Sequence, residues 1–184
     1  TGLLVGCDRD PMMLDHAKRT LSETGLQNFQ LQHASYSEME NILRTLNIET
    51  VDRILLDLGY SSDQLNDEQR GFGIDTGGPL DLRFDTSRGI PAWKFLEQQT
   101  EQELANIIHQ FGEERHSRRI AEQLTQQAKQ TGIRTVAELT EAVEGISPRS
   151  VRPEDRKKTV IRVFQALRIA VNDALEPLQY VLHN

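Results

Sequence analysis

The sequence predicts an α/β fold, a parallel sheet covered by helices and followed by an all-helical stretch. Three observations predict it. The first 58 residues alternate short apolar runs with helical patterns, residues 59–92 lose any sustained period, and the remainder carries capped amphipathic helices. At 184 residues with 37% apolar content, the chain is long enough for one domain, or for one domain with a small insertion.

The elements follow in order. Leu3-Leu4-Val5-Gly6-Cys7 is short and apolar on both parities, the pattern of a strand buried on both faces. Asp10-Pro11 opens a helix: Asp10 suits the N-cap, Pro11 suits the first helical position, and Leu14, Ala17, Lys18 and Leu21 recur at helical spacing until Gly25. Phe29-Gln30-Leu31-Gln32 alternates as a strand. Ser37 followed by Glu40 predicts a capping box for a helix bearing Met39, Ile42, Leu43 and Leu46. Residues 51–58 read as a third strand.

Residues 59–92 are rich in Gly, Asp, Ser and Pro, which predicts a long loop. Leu65, Phe72, Ile74, Leu80, Leu82 and Phe84 punctuate it and predict that it is ordered. Thr100 with Glu103 caps a helix whose stripe of Leu104, Ile107, Ile108 and Phe111 ends at Gly112, and Thr135 with Glu138 caps another with Leu139 and Val143. Ile120 and Leu124 mark a polar helix with little core of its own, and Trp93 reads as a packing anchor. Residues 145–157 read as an exposed linker. Val160, Phe164, Leu167, Val171, Ala174, Leu178 and Val181 alternate by four and three, the mark of a long helix with one buried face, kinked or broken at Pro177.

Composition narrows the function classes. The chain has no apolar run of spanning length and no basic-then-apolar leader, which argues against membrane insertion and secretion. A single cysteine, Cys7, cannot form an intrachain disulfide and has no second thiol or His pair to make a zinc site, so no metal is expected and a reducing, cytoplasmic compartment is. The absence of an initiator Met and the start inside a strand predict a piece of a longer protein.

The net charge of −7 is unevenly spread. Residues 115–168 carry 12 Lys+Arg against 6 Asp+Glu, whereas residues 1–114 carry 9 against 20. This asymmetry predicts that Arg115, Arg118, Arg119, Arg156, Lys157 and Lys158 contact phosphates of a polyanion, with a merely solvated helix face as the alternative. Glu113, Glu114 and Glu122 stand close enough in sequence to neutralise part of the first cluster.

Ligands of open parallel sheets bind beyond the carboxyl ends of the strands, where Asp8 and Asp57 fall. An acidic residue in the position of Asp8 can accept from both ribose hydroxyls of a nucleotide cofactor; a turn-forming role is its alternative. Asp57-Leu58-Gly59-Tyr60 resembles the Asp/Asn-Pro-Pro-Tyr element of amino-group methyltransferases, with Leu-Gly in place of Pro-Pro. There the acid accepts from the exocyclic amine and the ring stacks on the base. A packed loop aromatic is the alternative for Tyr60. His33, His109 and His116 lack metal-ligand spacing and read as structural or surface residues.

Several runs together resemble the bacterial 16S rRNA cytosine-N(4) methyltransferases of the RsmH (MraW) type. They are Gly6-Cys7-Asp8-Arg9-Asp10-Pro11, residues 55–65, Arg70-Gly71-Phe72, residues 78–85, Phe111-Gly112-Glu113-Glu114-Arg115, Arg119-Ile120-Ala121, residues 164–169 and Val171-Asn172, in the family's order across nearly the whole chain. The resemblance implies a Rossmann-like S-adenosylmethionine-dependent methyltransferase core at residues 1–85 and 156–184. It also implies an all-α insertion at 86–155 that recognises RNA, which would make RNA phosphates the partners of Arg115, Arg118, Arg119, Arg156, Lys157 and Lys158. The implied reaction is methylation of a cytidine exocyclic amine in small-subunit ribosomal RNA. By position, Asp8, Tyr36 (usually Phe), Asp57 and Gln64 would contact S-adenosyl-L-methionine, with Asp57 and Tyr60 as catalytic residues. The family's Gly-Gly-His loop and its C-terminal Ser-Phe-His-Ser-type motif are not in this sequence. Tyr60 replaces the usual Val, Gly73-Ile74 the usual Ser-Phe, and residues 156–161 the usual His-Pro-Ala-Thr stretch. The rival readings are an inactive RNA-binding or ribosome-assembly protein that keeps the fold, and a nicotinamide oxidoreductase, which Asp8 alone fits.

Overall fold

The computed structural model describes residues 2–57, 59–146 and 152–172. These fall into two units, one of residues 2–57 with 84–87 and the other of residues 59–83 with 88–172.

In the first unit, strand β1 (Leu4–Asp8), helix α1 (Pro11–Glu23) and strand β2 (Phe29–His33) form a βαβ unit whose strands pair in parallel, Leu4 opposite Phe29 and Asp8 opposite His33. Asp10 is the N-cap: its Oδ1 accepts from the Met12 N–H at 3.0 Å, and Pro11 opens the helix as its sequence position predicts. Helix α2 (Met39–Thr45) follows a 3-10 turn, Tyr36–Glu38. The capping box lies two residues earlier than expected, on Ser35 and Glu38 rather than Ser37 and Glu40. Ser35 stands two residues after the last residue of the strand, where its Oγ accepts from the Ser37 N–H while Glu38 Oε1 accepts from the Ser35 N–H at 3.0 Å. Entry through a 3-10 turn makes this earlier serine the cap.

Two strand expectations are corrected. Residues 51–57 carry no strand pairing among the described residues; β1 pairs with β2 alone, and Ile54 and Leu55 are exposed. A parallel strand is stable only with a hydrogen-bonded neighbour and cover on both faces, and among the described residues this run has no strand paired to it. For the same reason β1 is partly exposed rather than buried: a two-stranded sheet with one crossover helix covers little of its surface.

The second unit holds the main apolar core. Helices α4 (Ala92–Gln98), α5 (Glu101–Gly112), α6 (Ser117–Gln130), α7 (Val136–Ile146) and α8 (Pro153–Asn172) bury Leu96, Leu104, Ile108, Ile120, Leu124, Leu139, Val143, Val163, Phe164 and Leu167 among others. The boxes expected at Thr100 with Glu103 and at Thr135 with Glu138 both form. Helix α6 contributes more core than expected, because Ala121, Thr125 and Ala128 extend the buried face that Ile120 and Leu124 begin. Phe164 and Leu167 are buried as their stripe predicts, with α5 as the chief partner of α8 within this unit. The pattern reports that a face is buried, not which element covers it. Residues 173–184, with the rest of that stripe and Pro177, lie outside the described residues.

The stretch after residue 58 is ordered loop, as expected, with a short helix α3 (Ser62–Asn66) and a 3-10 turn, Glu68–Arg70. Phe72, Leu80 and Leu82 are buried. The loop is pinned at both ends of its apolar segment. The Leu80 N–H donates to the Arg134 carbonyl at 2.8 Å and the Val136 N–H to the Gly78 carbonyl at 3.0 Å, while Asn172 Nδ2 on α8 donates to the Leu82 carbonyl at 2.7 Å. A Cβ on Gly78 would overlap the Glu68 carbonyl oxygen, so the chain can pass there only as glycine.

Phe164 has no exposed surface, so Phe164→Ala should lower unfolding free energy by about 3–5 kcal/mol, read from the denaturation midpoint at constant slope. A midpoint equal to that of the parent would contradict the packing described.

Candidate functional site

The carboxyl edge of the parallel pair is built by three short pieces of chain. Strand β1 delivers Cys7 and Asp8, the turn into α1 delivers Arg9 and Asp10, and the residues after β2 deliver His33 to Glu38. The pairing holds them together, since the Ala34 N–H donates to the Asp8 carbonyl at 3.0 Å. Asp8 Oδ1 accepts from the Asp10 N–H at 2.7 Å, which orients the carboxylate across the strand end. His33 Nε2 lies 3.0 Å from the Arg9 carbonyl and 3.1 Å from Asp85 Oδ2, tying residues 84–87 to this edge. Asp85 Oδ1 in turn accepts from the Ser87 N–H and Oγ. A role for His33 in holding loops together is the structural one the sequence predicts.

The edge is desolvated. Burial pushes the Asp8 carboxyl above its ordinary range, with the Asp10 carboxylate adding to the rise; the Asp10 and Arg9 N–H groups and His33 oppose it. Burial likewise pushes up the Cys7 thiol, with Asp8 and Glu38 adding, and the Tyr36 hydroxyl, where Arg9 opposes. Cys7 is therefore a protonated packing residue. A half-buried carboxylate with an elevated pKa is an acceptor that gains from hydroxyl donors, since they replace the water it has lost. A nucleoside's ribose carries two such hydroxyls side by side.

The structure brings Asp8 and Tyr36 to this one edge. Asp57 belongs to the same unit but is exposed on the segment without strand pairing. Gln64 and Tyr60 lie in the other unit. Gln64 is buried as the third residue of α3, where its Oε1 accepts from the Ser61 N–H at 2.9 Å and its own N–H donates to Ser61 Oγ at 3.1 Å. This capping box in residues 61–64 was not read from the sequence, although Ser followed by Gln three residues later is its signature. Tyr60 is 45% exposed, with its ring centroid 6.1 Å from that of Phe72.

The six basic residues are placed unequally. Arg115, Arg118 and Arg119 are exposed around the start of α6, whose first turn carries no acid. Lys157 is held by Asp75 at 3.0 Å and Lys158 by Asp155 at 3.1 Å. Arg156 lines an open groove of about 710 Å³ whose walls also carry Asp75, Glu141 and Glu144. The Glu113–Arg115 run is more than a charged helix end. Glu114 is 1% exposed, and its carboxylate accepts from the His116 N–H, Thr159 Oγ1 and Arg162 Nη1. Its burial is a tertiary outcome without a signature in the local sequence. Trp93 is an anchor, capped by the Arg134 guanidinium at 4.0 Å. Among the described residues no His, Cys, Asp and Glu side chains gather as a metal site, and no helix is long and apolar enough to cross a membrane.

A parallel βαβ unit with an acidic, desolvated carboxyl edge is the class of α/β protein that takes its ligand at the strand ends. The sequence model of the MraW methylase family matches residues 1–184, and the chain belongs to that family. Its curated relatives include proteins named ribosomal RNA small subunit methyltransferase H. The one from Acinetobacter baumannii (strain SDF) is 40% identical over 175 residues, covering 95% of this chain and 54% of the relative. That from Nitrosomonas eutropha is 40% identical over 182 residues, 99% of this chain and 56% of the relative. That from Trichlorobacter lovleyi is 42% identical over 178 residues, 97% and 56% respectively. The chain thus spans about half the length of the curated relatives it matches.

The elevated pKa of Asp8 gives a pH test. Below the ordinary carboxylate range the residue is neutral in both states; as pH rises through the raised folded value, ionisation favours the unfolded chain. Asp8→Asn should therefore be more stable than the parent at neutral pH, with the difference shrinking as pH falls toward the ordinary carboxylate range. Thermal melts across pH will show this, and a difference that does not vary with pH would contradict the burial effect.

Proposed function

We propose that the complete protein is an S-adenosyl-L-methionine-dependent methyltransferase acting on the exocyclic amine of a cytidine in small-subunit ribosomal RNA. The carrying observation is membership of the MraW methylase family over residues 1–184, with Asp8 presented at the carboxyl edge of the first strand. The residues fit the cofactor: Asp8 suits the ribose hydroxyls, and Tyr36, at the neighbouring strand end, offers a half-buried ring to the adenosine. Asp57 and Gln64 are assigned to the cofactor by their place in the family pattern. The bound cofactor supplies an electrophilic methyl group.

The protein's part in the reaction is positioning. A cytosine amine is a poor nucleophile whose lone pair is delocalised into the ring. Asp57 accepts a hydrogen bond from that amine and orients its lone pair in line with the methyl group, and Tyr60 covers the base. Orientation of this kind can supply on the order of several kcal/mol of barrier reduction. RNA recognition falls to the helical part of the chain. Residues 86–155, carrying α4 to α7, are the RNA-recognition insertion, and residues 1–85 with 156–184 supply the methyltransferase core. Arg118 and Arg119 stand in the first turn of α6, where the helix dipole disfavours cations by about 0.3–1 kcal/mol each. Basic residues kept at such a place are explained by an anionic partner, and with Arg115 they form the principal phosphate contact. Arg156, Lys157 and Lys158 form a secondary one, weakened by the acids beside them. The small ribosomal subunit is the partner and the cytoplasm the place of action.

Asp8→Ala in the complete protein should weaken S-adenosylmethionine binding at least tenfold, about 1.4 kcal/mol, in a calorimetric titration. Equal affinities would remove Asp8 from the site. Replacing Arg115, Arg118 and Arg119 together with Ala should flatten the log–log dependence of RNA affinity on salt by about two units, at about 0.7 for each phosphate contact. The same change at Arg156, Lys157 and Lys158 should flatten it less. An unchanged slope in the first variant would leave that cluster solvated.

A further inference from the structure

Arg168 stands on α8 with 8% of its surface exposed. Its guanidinium carbon lies 4.0 Å from the Tyr60 ring centroid and 5.7 Å from that of Phe72. The position is held from below by Asn172, whose Nδ2 donates to both the Arg168 and the Leu82 carbonyls. Two aromatic faces are all that answer the charge. Among the described residues the Arg168 side chain has no ion pair or hydrogen bond, and its Nη1 is wholly buried without a partner. Two other guanidinium groups of this unit are treated differently: the half-buried Arg83 is clasped by Asp81 at 2.7 Å, and the exposed Arg162 reaches the buried Glu114.

Desolvating a cation without a carboxylate is costly, and a cation–π contact offsets only part of that cost. A group left in this state calls for a physical reason, and an anion meeting the part of the guanidinium that keeps its 8% exposure is one that its charge would reward. The neighbour narrows the anion's chemistry. Tyr60 remains 45% exposed, so an open aromatic surface borders an unneutralised guanidinium. Aromatic ring beside fixed positive charge is the pattern that holds single-stranded nucleic acid, the base on the ring and the phosphate on the cation.

Resting on the reading of this protein as acting on RNA, we propose that Arg168 and Tyr60 form a nucleotide subsite in which Arg168 binds a phosphate of the RNA strand next to the base that Tyr60 covers. The pair lies apart in sequence, 108 residues from one another, and α8 and the loop after residue 59 are brought together by the Asn172–Leu82 bond. Arginine suits the task because its planar fork stacks on the ring and still presents donors to phosphate oxygens, which a lysine ammonium does as a point charge only.

The test uses the complete protein, a short single-stranded RNA oligonucleotide and three measurements on Arg168→Met and Arg168→Lys: melting temperature without RNA, oligonucleotide affinity against salt, and S-adenosylmethionine affinity. Methionine approximates the volume and removes the charge. Arg168→Met should melt at or above the parent temperature, bind the oligonucleotide about tenfold more weakly, and lose about 0.7 from the salt slope. Arg168→Lys should recover the slope but not the full affinity. Cofactor affinity should be unchanged in both. Unchanged oligonucleotide affinity and slope in Arg168→Met overturns the proposal, as does a melting temperature well below the parent's, which would make the charge a structural one. Loss of cofactor affinity with RNA binding intact also overturns it, assigning the guanidinium to the methionyl carboxylate. Failure of the parent protein to bind the oligonucleotide would instead bring down the RNA reading on which the proposal rests.

Discussion

The close approach of α8 to the end of α5 is the constraint on which the helical unit depends. Gly112 is the last residue of α5, and a Cβ there would sit 2.6 Å from the Arg162 carbonyl oxygen and 3.3 Å from the Ala166 methyl. The helices can touch only because that side chain is absent. Glycine usually serves at the end of a helix by taking the left-handed conformation; here the next residue, Glu113, takes it at φ 51°, leaving Gly112 helical. Two residues further on the chain has turned far enough for Glu114 to enter the interface and accept from Thr159 and Arg162 on α8. A buried carboxylate is tolerable because each donor is in place, and removal of one would expose the rest of the arrangement to its desolvation cost. The turn so formed sets where α6 begins, and with it the exposure of Arg115, Arg118 and Arg119.

The first unit uses polar groups for a different end. Asp10 is fully buried and caps α1, and the same residue's N–H fixes the neighbouring Asp8 carboxylate. A carboxylate that caps a helix and one that ends a strand half-buried thus stand two residues apart, distinguished by what surrounds them. Asp10 is satisfied by the helix it starts, whereas Asp8 is left partly desolvated and raised in pKa. Arg168 in the helical unit is the cationic counterpart, a charge removed from water with only aromatic faces for company. Such local departures from full satisfaction are where a scaffold stores affinity for a ligand.

Membership of the MraW methylase family orders these observations. It accounts for the parallel βαβ start. Tyr60 owes its place in the structure to the Arg168 guanidinium stacked on its ring. The acids beside Lys157 and Lys158 similarly explain why a basic run on paper is a weak positive surface in space.

By itself the sequence determined what rests on local chemistry. The N-cap at Asp10, the boxes at Thr100 and Thr135, the buried stripe through Phe164 and the placement of Asp8 at a strand end are all set by residues within a few positions of one another, where backbone geometry alone dictates which groups can meet. Tertiary structure decided what depends on distant partners. Residues 51–57 have the composition of a strand, yet strand formation requires a neighbour that composition cannot supply. The α8 stripe says that a face is buried, but only packing selected α5 as its cover. Gly112 as a contact point, Glu114 as a buried acceptor and Arg168 as an unneutralised cation each owe their character to groups roughly 50 or more residues away, because burial and charge compensation are properties of an assembled environment and not of a side chain.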